Sequence, residues 1–210
     1  MTHVRKLTDG TRFSDWPTRN GQLPVVFLDY CYHHHSRYPD PTYHTLLKFK
    51  GGERSVLDEF LPLLARIARA GFLKNGIVVK PTEITSVLSS GSSDISPGSR
   101  EFLIASTMAE TLNLNVATHL FRQSPRLPLH LHQGLGFGER YRIVLENLSC
   151  QDARGKRILL LDDLLTTGAT IEAYAKRIAE RGGTLVGAVT LMKYEPMKPL
   201  NPRLFGMLET

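Results

Sequence analysis

The sequence predicts an α/β protein: a central, mostly parallel sheet of about five strands flanked by helices on both faces. Three observations carry that prediction. Residues 156–161, KRILLL, form a short apolar run, the pattern of a strand buried on both faces. Residues 169–183, ATIEAYAKRIAERGG, place Ile171, Tyr174, Ala175, Ile178 and Ala179 at helical spacing. That stretch closes on a glycine pair suited to a left-handed C-terminal cap. Residues 184–192, TLVGAVTLM, read as a further strand. Strand, helix and strand in this order make a β-α-β unit, which implies parallel strands and a right-handed crossover.

The remaining elements follow along the chain. Residues 1–22 are polar and turn-rich and read as an irregular lead-in. LPVVFLDYCY (23–32) has the pattern of a buried strand. HHHSRYPDPTYH (33–44) reads as a loop punctuated by Pro39 and Pro41. TLLKFKGGE (45–53) is a short amphipathic piece ending at a glycine pair. A helix is expected from Ser55, with Asp58 three residues on as a weak capping box. Its apolar stripe is Leu57, Phe60, Leu61, Leu64, Ala65 and Ala68, and Pro62 marks a kink or its first turn. NGIVVK (75–80), ITSVL (84–88) and LNVAT (114–118) are strand candidates. SSGSSDISPGS (89–99) is a long small-residue loop, and a helix follows over about 100–112. Residues 122–142 show no clear period and carry Arg122, Arg126, His130, His132, Arg140 and Arg142 among prolines and glycines. A breaker-rich basic stretch of this length reads as disorder or a functional loop.

Composition narrows the function classes. The chain has 210 residues, which suits one domain with a small elaboration. Hydrophobic residues make up 41% and charged residues 22%, so a sizeable core is available. No apolar run approaches the roughly 20 residues that span a bilayer, and MTHVRKLTDGTRF lacks an apolar signal-peptide core. Cys31 and Cys150 lie far apart and suggest neither a disulfide scaffold nor a zinc module. A cytoplasmic protein with reduced, inert thiols is the expectation. The net charge of +6 raises nucleic acid as a partner. The basic residues are scattered, however, and favour a site for polyanionic small molecules instead.

The chemistry concentrates in ILLLDDLLTTGAT (158–170). Asp162 and Asp163 fall at the carboxyl end of the apolar strand, where open α/β sheets bind ligands. The next helix begins a few residues later, and its unpaired N–H groups favour a phosphate. Thr166, Thr167 and Thr170 add hydroxyl donors, and Gly168 lets the backbone come close to a ligand. One part of the site therefore takes a phosphate, and the other can only accept hydrogen bonds or bind a cation. A ribose 5-phosphate satisfies both.

This stretch resembles the phosphoribosyl pyrophosphate (PRPP) binding motif of the type I phosphoribosyltransferases: apolar strand, two acids, two variable residues, Thr-Thr-Gly, a small residue and Thr. A weaker likeness extends over residues 45–193. LLKFKGGE and QGLGFGERYRIVLENL (133–148) are similar to segments of the ComF-like branch, associated with competence proteins. Two features depart from that branch. No N-terminal cysteine cluster for zinc is present, and GSREFLI stands where Arg-Gly-Phe-Asn is expected.

The resemblance implies a Rossmann-like core over 76–210, with residues 1–75 as lead-in and a small hood that recognises the acceptor. It implies displacement at C1 of PRPP by an unidentified small-molecule acceptor, usually through nitrogen, with Mg²⁺ as cofactor and pyrophosphate as leaving group. Asp162 and Asp163 would hold the ribose hydroxyls, directly or through Mg²⁺. Leu165, Thr166, Thr167, Gly168, Ala169 and Thr170 would wrap the 5′-phosphate. Ser89, Ser90 and Gly91 match the pyrophosphate loop by position. Arg122, Arg126 and Arg140 would reach pyrophosphate from a lid. A homodimer is expected, without a membrane, and nucleic acid is an open but disfavoured partner. The alternative is a protein that senses PRPP or a nucleotide, or serves competence, without turnover. Lys48 reads as a solvated position, and a metal role for His33–His35 is disfavoured because three consecutive residues cannot all face one ion.

Overall fold

The computed structural model describes residues 4–6, 12–18, 21–32, 41–50, 53, 55, 58, 62, 65, 72–74, 77–126, 128 and 135–195. The strands among them are β1 (Val4–Lys6), β2 (Arg12–Thr18), β3 (Gly21–Tyr32), β4 (Phe72–Lys74), β5 (Ile77–Val79) and β6 (Glu83–Ser86). They continue with β7 (Asn115–Val116), β8 (Phe121–Gln123), β9 (Leu148–Cys150), β10 (Arg157–Leu165) and β11 (Thr184–Glu195). The helices are α1 (Pro41–Lys50), α2 (Arg100–Leu112), α3 (Phe137–Asn147) and α4 (Ala169–Glu180). None is long and apolar enough to cross a membrane.

Seven strands form one sheet in the order β1-β2-β3-β11-β10-β6-β7. The five from β3 to β7 are parallel, which matches the sheet expected from the sequence. β10 lies inside it, hydrogen-bonded to β11 on one side and β6 on the other. Its side chains alternate between two cores. Ile158 and Leu160 pack with Tyr174 and Ile178 of α4 and Val144 of α3. Leu159 and Leu161 pack with Leu46 and Phe49 of α1 and Ala105 and Met108 of α2. Helices therefore cover both faces, and this is why residues 158–161 had to be apolar on both faces. Burying each such side chain contributes about 1.5–3 kcal/mol.

The α4–β11 connection has the cap read from the sequence. Gly182 adopts φ +75°, and its N–H donates to the Ala179 carbonyl at 3.0 Å. The Gly183 N–H donates to the Ile178 carbonyl at 3.0 Å, and a Cβ on Gly183 would meet the Ala153 carbonyl oxygen at 2.8 Å.

Four expectations are corrected. Residues 1–22 are not an irregular lead-in: β1 and β2 extend the sheet antiparallel beyond β3. Arg12–Thr18 lacks an apolar run because pairing to β3 holds it in place. The readable sign was Asn20-Gly21, a hairpin-type dipeptide, and Thr18 does pair with Gly21. Pro41 is no loop breaker; it opens α1, where a missing N–H and fixed φ suit the first helical position. Residues 122–142 contain β8's end and the start of α3, so this stretch is not one irregular loop. Finally, β10 does not stop before the acid pair but runs through it to Leu165, with Asp162 beside Thr190 and Leu165 beside Lys193. Ser55, Asp58, Pro62 and Ala65 are helical, as expected.

Candidate active site

The carboxyl ends of β6 and β10, the first turns of α2, α3 and α4, and the last turn of α1 meet around a cavity of about 370 Å³. The structure brings Asp162, Asp163, Thr166 and Thr170 to its wall from the β10–α4 connection. Ser89 and Ser90 reach it from the loop after β6, Arg126 from the chain after β8, and Arg140 from the first turn of α3.

The acid pair divides its labour. On a strand, consecutive side chains point to opposite faces. Asp163 meets the α1–α2 side: its Oδ2 lies 3.4 Å from Lys50 Nζ and 3.8 Å from Arg100 Nη2. Asp162 sits toward α4, near enough to Tyr174 and Arg126 to bias both electrostatically. Its carboxylate accepts the Asp163 N–H at 2.8 Å. Burial, reinforced by the neighbouring Asp163 charge, pushes the Asp162 pKa well above the ordinary carboxylate value. The ligand-free site thus holds one carboxylate compensated by two cations and one that is held at a cost.

The helix end is open to a ligand. Gly168 occupies the N-cap of α4 at φ +78°, a conformation suited to glycine, and no side chain caps the helix. Thr167 Oγ1 accepts from the Ala169 N–H at a long 3.4 Å. Leu165 and Ala169 are buried in the core, so they could offer a ligand only backbone. Gly91 is exposed, with open space where a Cβ would project.

Arg122 is not brought to the cavity. It is ion-paired to Asp94 and lines a separate cavity with Arg177 and Cys150. Burial raises the Cys150 thiol pKa to about 11, which suits an inert thiol. Lys48 is exposed and pairs with Glu53 at 3.6 Å. His33–His35 lie outside the described residues.

Sequence reasoning missed Lys50, Arg100 and Glu101, all on the cavity wall. Arg100 lies 3.6 Å from Glu101 Oε1, and its guanidinium lies over the Phe49 ring at 6.0 Å. The available signal was position: Lys50 ends one helix, and Arg100 begins another directly after the small-residue loop. Arg140 escaped as a helical residue because glycines surround it. The sign there was Glu139, whose Oε2 accepts the Gly136 N–H at 3.2 Å.

Tyr174 ties α4 to the loop after β6. It is fully buried, and its hydroxyl oxygen accepts the Leu88 N–H at 2.8 Å. Its ring packs on Phe121 at 4.6 Å between centroids. Tyr174→Phe keeps the ring and strands the buried Leu88 N–H. A loss of about 1–3 kcal/mol is expected in denaturant unfolding. A loss below about 0.5 kcal/mol would mean that the amide finds water.

Residues 107–203 match the family model described as the phosphoribosyl transferase domain. Relatives of the chain include the adenine phosphoribosyltransferase of Mycobacterium avium (strain 104), 31% identical over 101 residues that cover 45% of this chain and 52% of that one. The adenine phosphoribosyltransferase of Prochlorococcus marinus (strain NATL1A) is 34% identical over 103 residues, covering 48% and 57%. The chain spans about half the length of the curated relatives it matches. Among solved structures, the adenine phosphoribosyltransferase of Leishmania donovani is 13% identical with a TM-score of 0.44, covering 90% of this chain and 92% of that one. The likeness to the ComF-like branch rests on the sequence segments alone.

Proposed function

We propose that the protein transfers phosphoribose from PRPP to a nitrogenous small molecule and releases pyrophosphate. The observation that carries this reading is the meeting, in one cavity, of the acid pair, the uncapped α4 N-terminus and four cations: Lys50, Arg100, Arg126 and Arg140. The 5′-phosphate would take the α4 amides with the Thr166 and Thr170 hydroxyls. The ribose 2′ and 3′ hydroxyls would donate to Asp162 and Asp163. The pyrophosphate would lie between the 89–90 loop and the cations.

In the reaction the acceptor nitrogen bonds to C1 as the C1–oxygen bond to pyrophosphate breaks. The electron pair leaves with pyrophosphate, and the acceptor N–H proton is given up. The chain's part is to position the two partners and to stabilise charge. Arg126 and Arg140 would face the charge that builds on the leaving group, and Asp162 and Asp163 the cationic sugar.

The donor set fits Mg²⁺ only in part. Among the described residues no group of three His, Cys, Asp or Glu side chains could hold a metal. Burial, with the neighbouring Asp163 charge, raises the Asp162 pKa, so a nearby cation would favour its ionised form. Both facts suit an ion that arrives with the ligand's oxygens and keeps one or two carboxylates as partners. When bound, Mg²⁺ would supply neutralisation of the pyrophosphate.

The deciding experiment incubates the protein with Mg²⁺, PRPP and a panel of bases and amines, and measures pyrophosphate release. Release dependent on one acceptor class is the expected result. Tight PRPP binding with no release from any acceptor would replace the enzyme by a PRPP sensor.

A further inference from the structure

We infer that Gln123 is a positioning residue that joins the loop after β6 to Arg126, and so builds the pyrophosphate side of the cavity before any ligand arrives. The inference rests on the assignment of that side to pyrophosphate in the proposed function. Gln123 ends β8 and is only 4% exposed. Its Nε2 donates to the Ser89 carbonyl at 2.8 Å and to the Ser92 carbonyl at 3.3 Å. Its Oε1 accepts from Arg126 Nε at 3.4 Å. The backbone adds two more links: Gln123 N–H to the Ser93 carbonyl at 2.8 Å, and Arg126 N–H to the Ser90 carbonyl at 3.0 Å.

The amide's NH₂ and one acceptor site of its oxygen are directed. Reversing it would set its oxygen against two carbonyls and its NH₂ against a guanidinium, so one orientation is enforced. Gln123 does not line the candidate active site. It stands behind Ser89, Ser90 and Arg126, which do, and borders the cavity of about 490 Å³ on the other side. Without such a clamp a Ser/Gly-rich loop would be ordered only on binding, at roughly 1–2 kcal/mol per residue. With it, the ordering is complete in the ligand-free protein, and only Nε of the Arg126 guanidinium is spent on it.

A glutamine that merely stabilises the fold would have the same bonds, so the test must read the ligand. Gln123→Met keeps the length and removes donors and acceptor. Gln123→Glu keeps an acceptor for Arg126 and removes both donors. Calorimetry on the whole chain, well below its melting temperature, would use Mg²⁺-pyrophosphate and ribose 5-phosphate as separate probes. The expected result is a fall of about tenfold in pyrophosphate affinity for both variants, with ribose 5-phosphate affinity within twofold of wild type. Combining Gln123→Met with Arg126→Met should cost less than the product of the single losses, since the two act as a unit. Pyrophosphate affinity unchanged in either variant, equal loss of both probes, or full additivity would overturn the inference. If Gln123→Met does not fold, Gln123→Glu decides alone. A wild-type protein that binds ribose 5-phosphate but no pyrophosphate overturns the assignment of this side of the cavity, and the inference with it.

Discussion

Asp162→Asn combined with Asp163→Asn is expected to weaken Mg²⁺-dependent PRPP binding by about 10²–10⁴-fold while leaving the fold intact. Each carboxylate is proposed to accept a ribose hydroxyl, and a hydrogen bond to a charged group contributes about 1.5–3 kcal/mol. Two such losses amount to that range, since about 1.4 kcal/mol is tenfold. The fold should survive because the pairing of β10 to β11 and β6 is made by backbone groups. The one side-chain bond within the pair, from the Asp163 N–H to Asp162, can be kept by an amide oxygen. The double change also leaves Lys50 and Arg100 without their carboxylate at position 163. Calorimetric titration with Mg²⁺ and PRPP is the check, alongside circular dichroism. Unchanged affinity in a folded variant would sink the ribose assignment.

The second expectation concerns stability and has the opposite direction. Asp162→Asn alone should raise the melting temperature of the ligand-free protein at pH 7. The sign follows from the raised pKa. The folded state binds the Asp162 proton more tightly than the unfolded chain, whose aspartates titrate near about 3.9. The associated stability is fully present below that value and is lost as pH rises through the higher folded value. At pH 7, above the unfolded value, the desolvated acid is therefore a net cost, and a neutral amide removes it. In a chain of this size each kcal/mol is worth about 2–4 °C, and a rise of that order is expected. The advantage should shrink as pH falls and vanish below about 3.9, where the wild-type acid is protonated in both states. Scanning calorimetry at two pH values measures it. A lower melting temperature at pH 7 would show that the ionised acid is supported by its surroundings, and that burial does not dominate.

What was legible in the sequence tracks how locally each feature is encoded. The β10–α4–β11 unit was readable because its strands are apolar on both faces and its helix carries a regular stripe and a glycine cap. The helix over Arg100–Leu112 was readable for the same reason, with Ser99 accepting the Phe102 N–H at 3.1 Å as its cap. β2 was not, because Arg12–Thr18 depends on a partner strand for its conformation. The donor half of the candidate site was visible in thirteen consecutive residues. The cations that flank it were not: Lys50 and Asp163 are joined only by packing α1 beside β10, and no local pattern records that. Arg122 shows the reverse error. Its position beside a basic stretch suggested the cavity, while the fold gives it to Asp94. Gln123 had no sequence signal at all, since a polar residue ending a three-residue strand is unremarkable until its burial is known.

The extension of β10 through the acid pair has a thermodynamic consequence. Asp162, Leu164 and Leu165 are rungs of the ladder with β11, on one side only, since the pairing of β10 with β6 ends at Leu161. Freeing the acid pair requires breaking that ladder with β11 rather than fraying a loop. A ligand that needs this strand extension binds only the folded chain, so a sugar phosphate held as proposed would raise the stability in proportion to the logarithm of its concentration. A thermal-shift screen of phosphorylated sugars would therefore register donor-site ligands directly as a change in the melting of the whole protein.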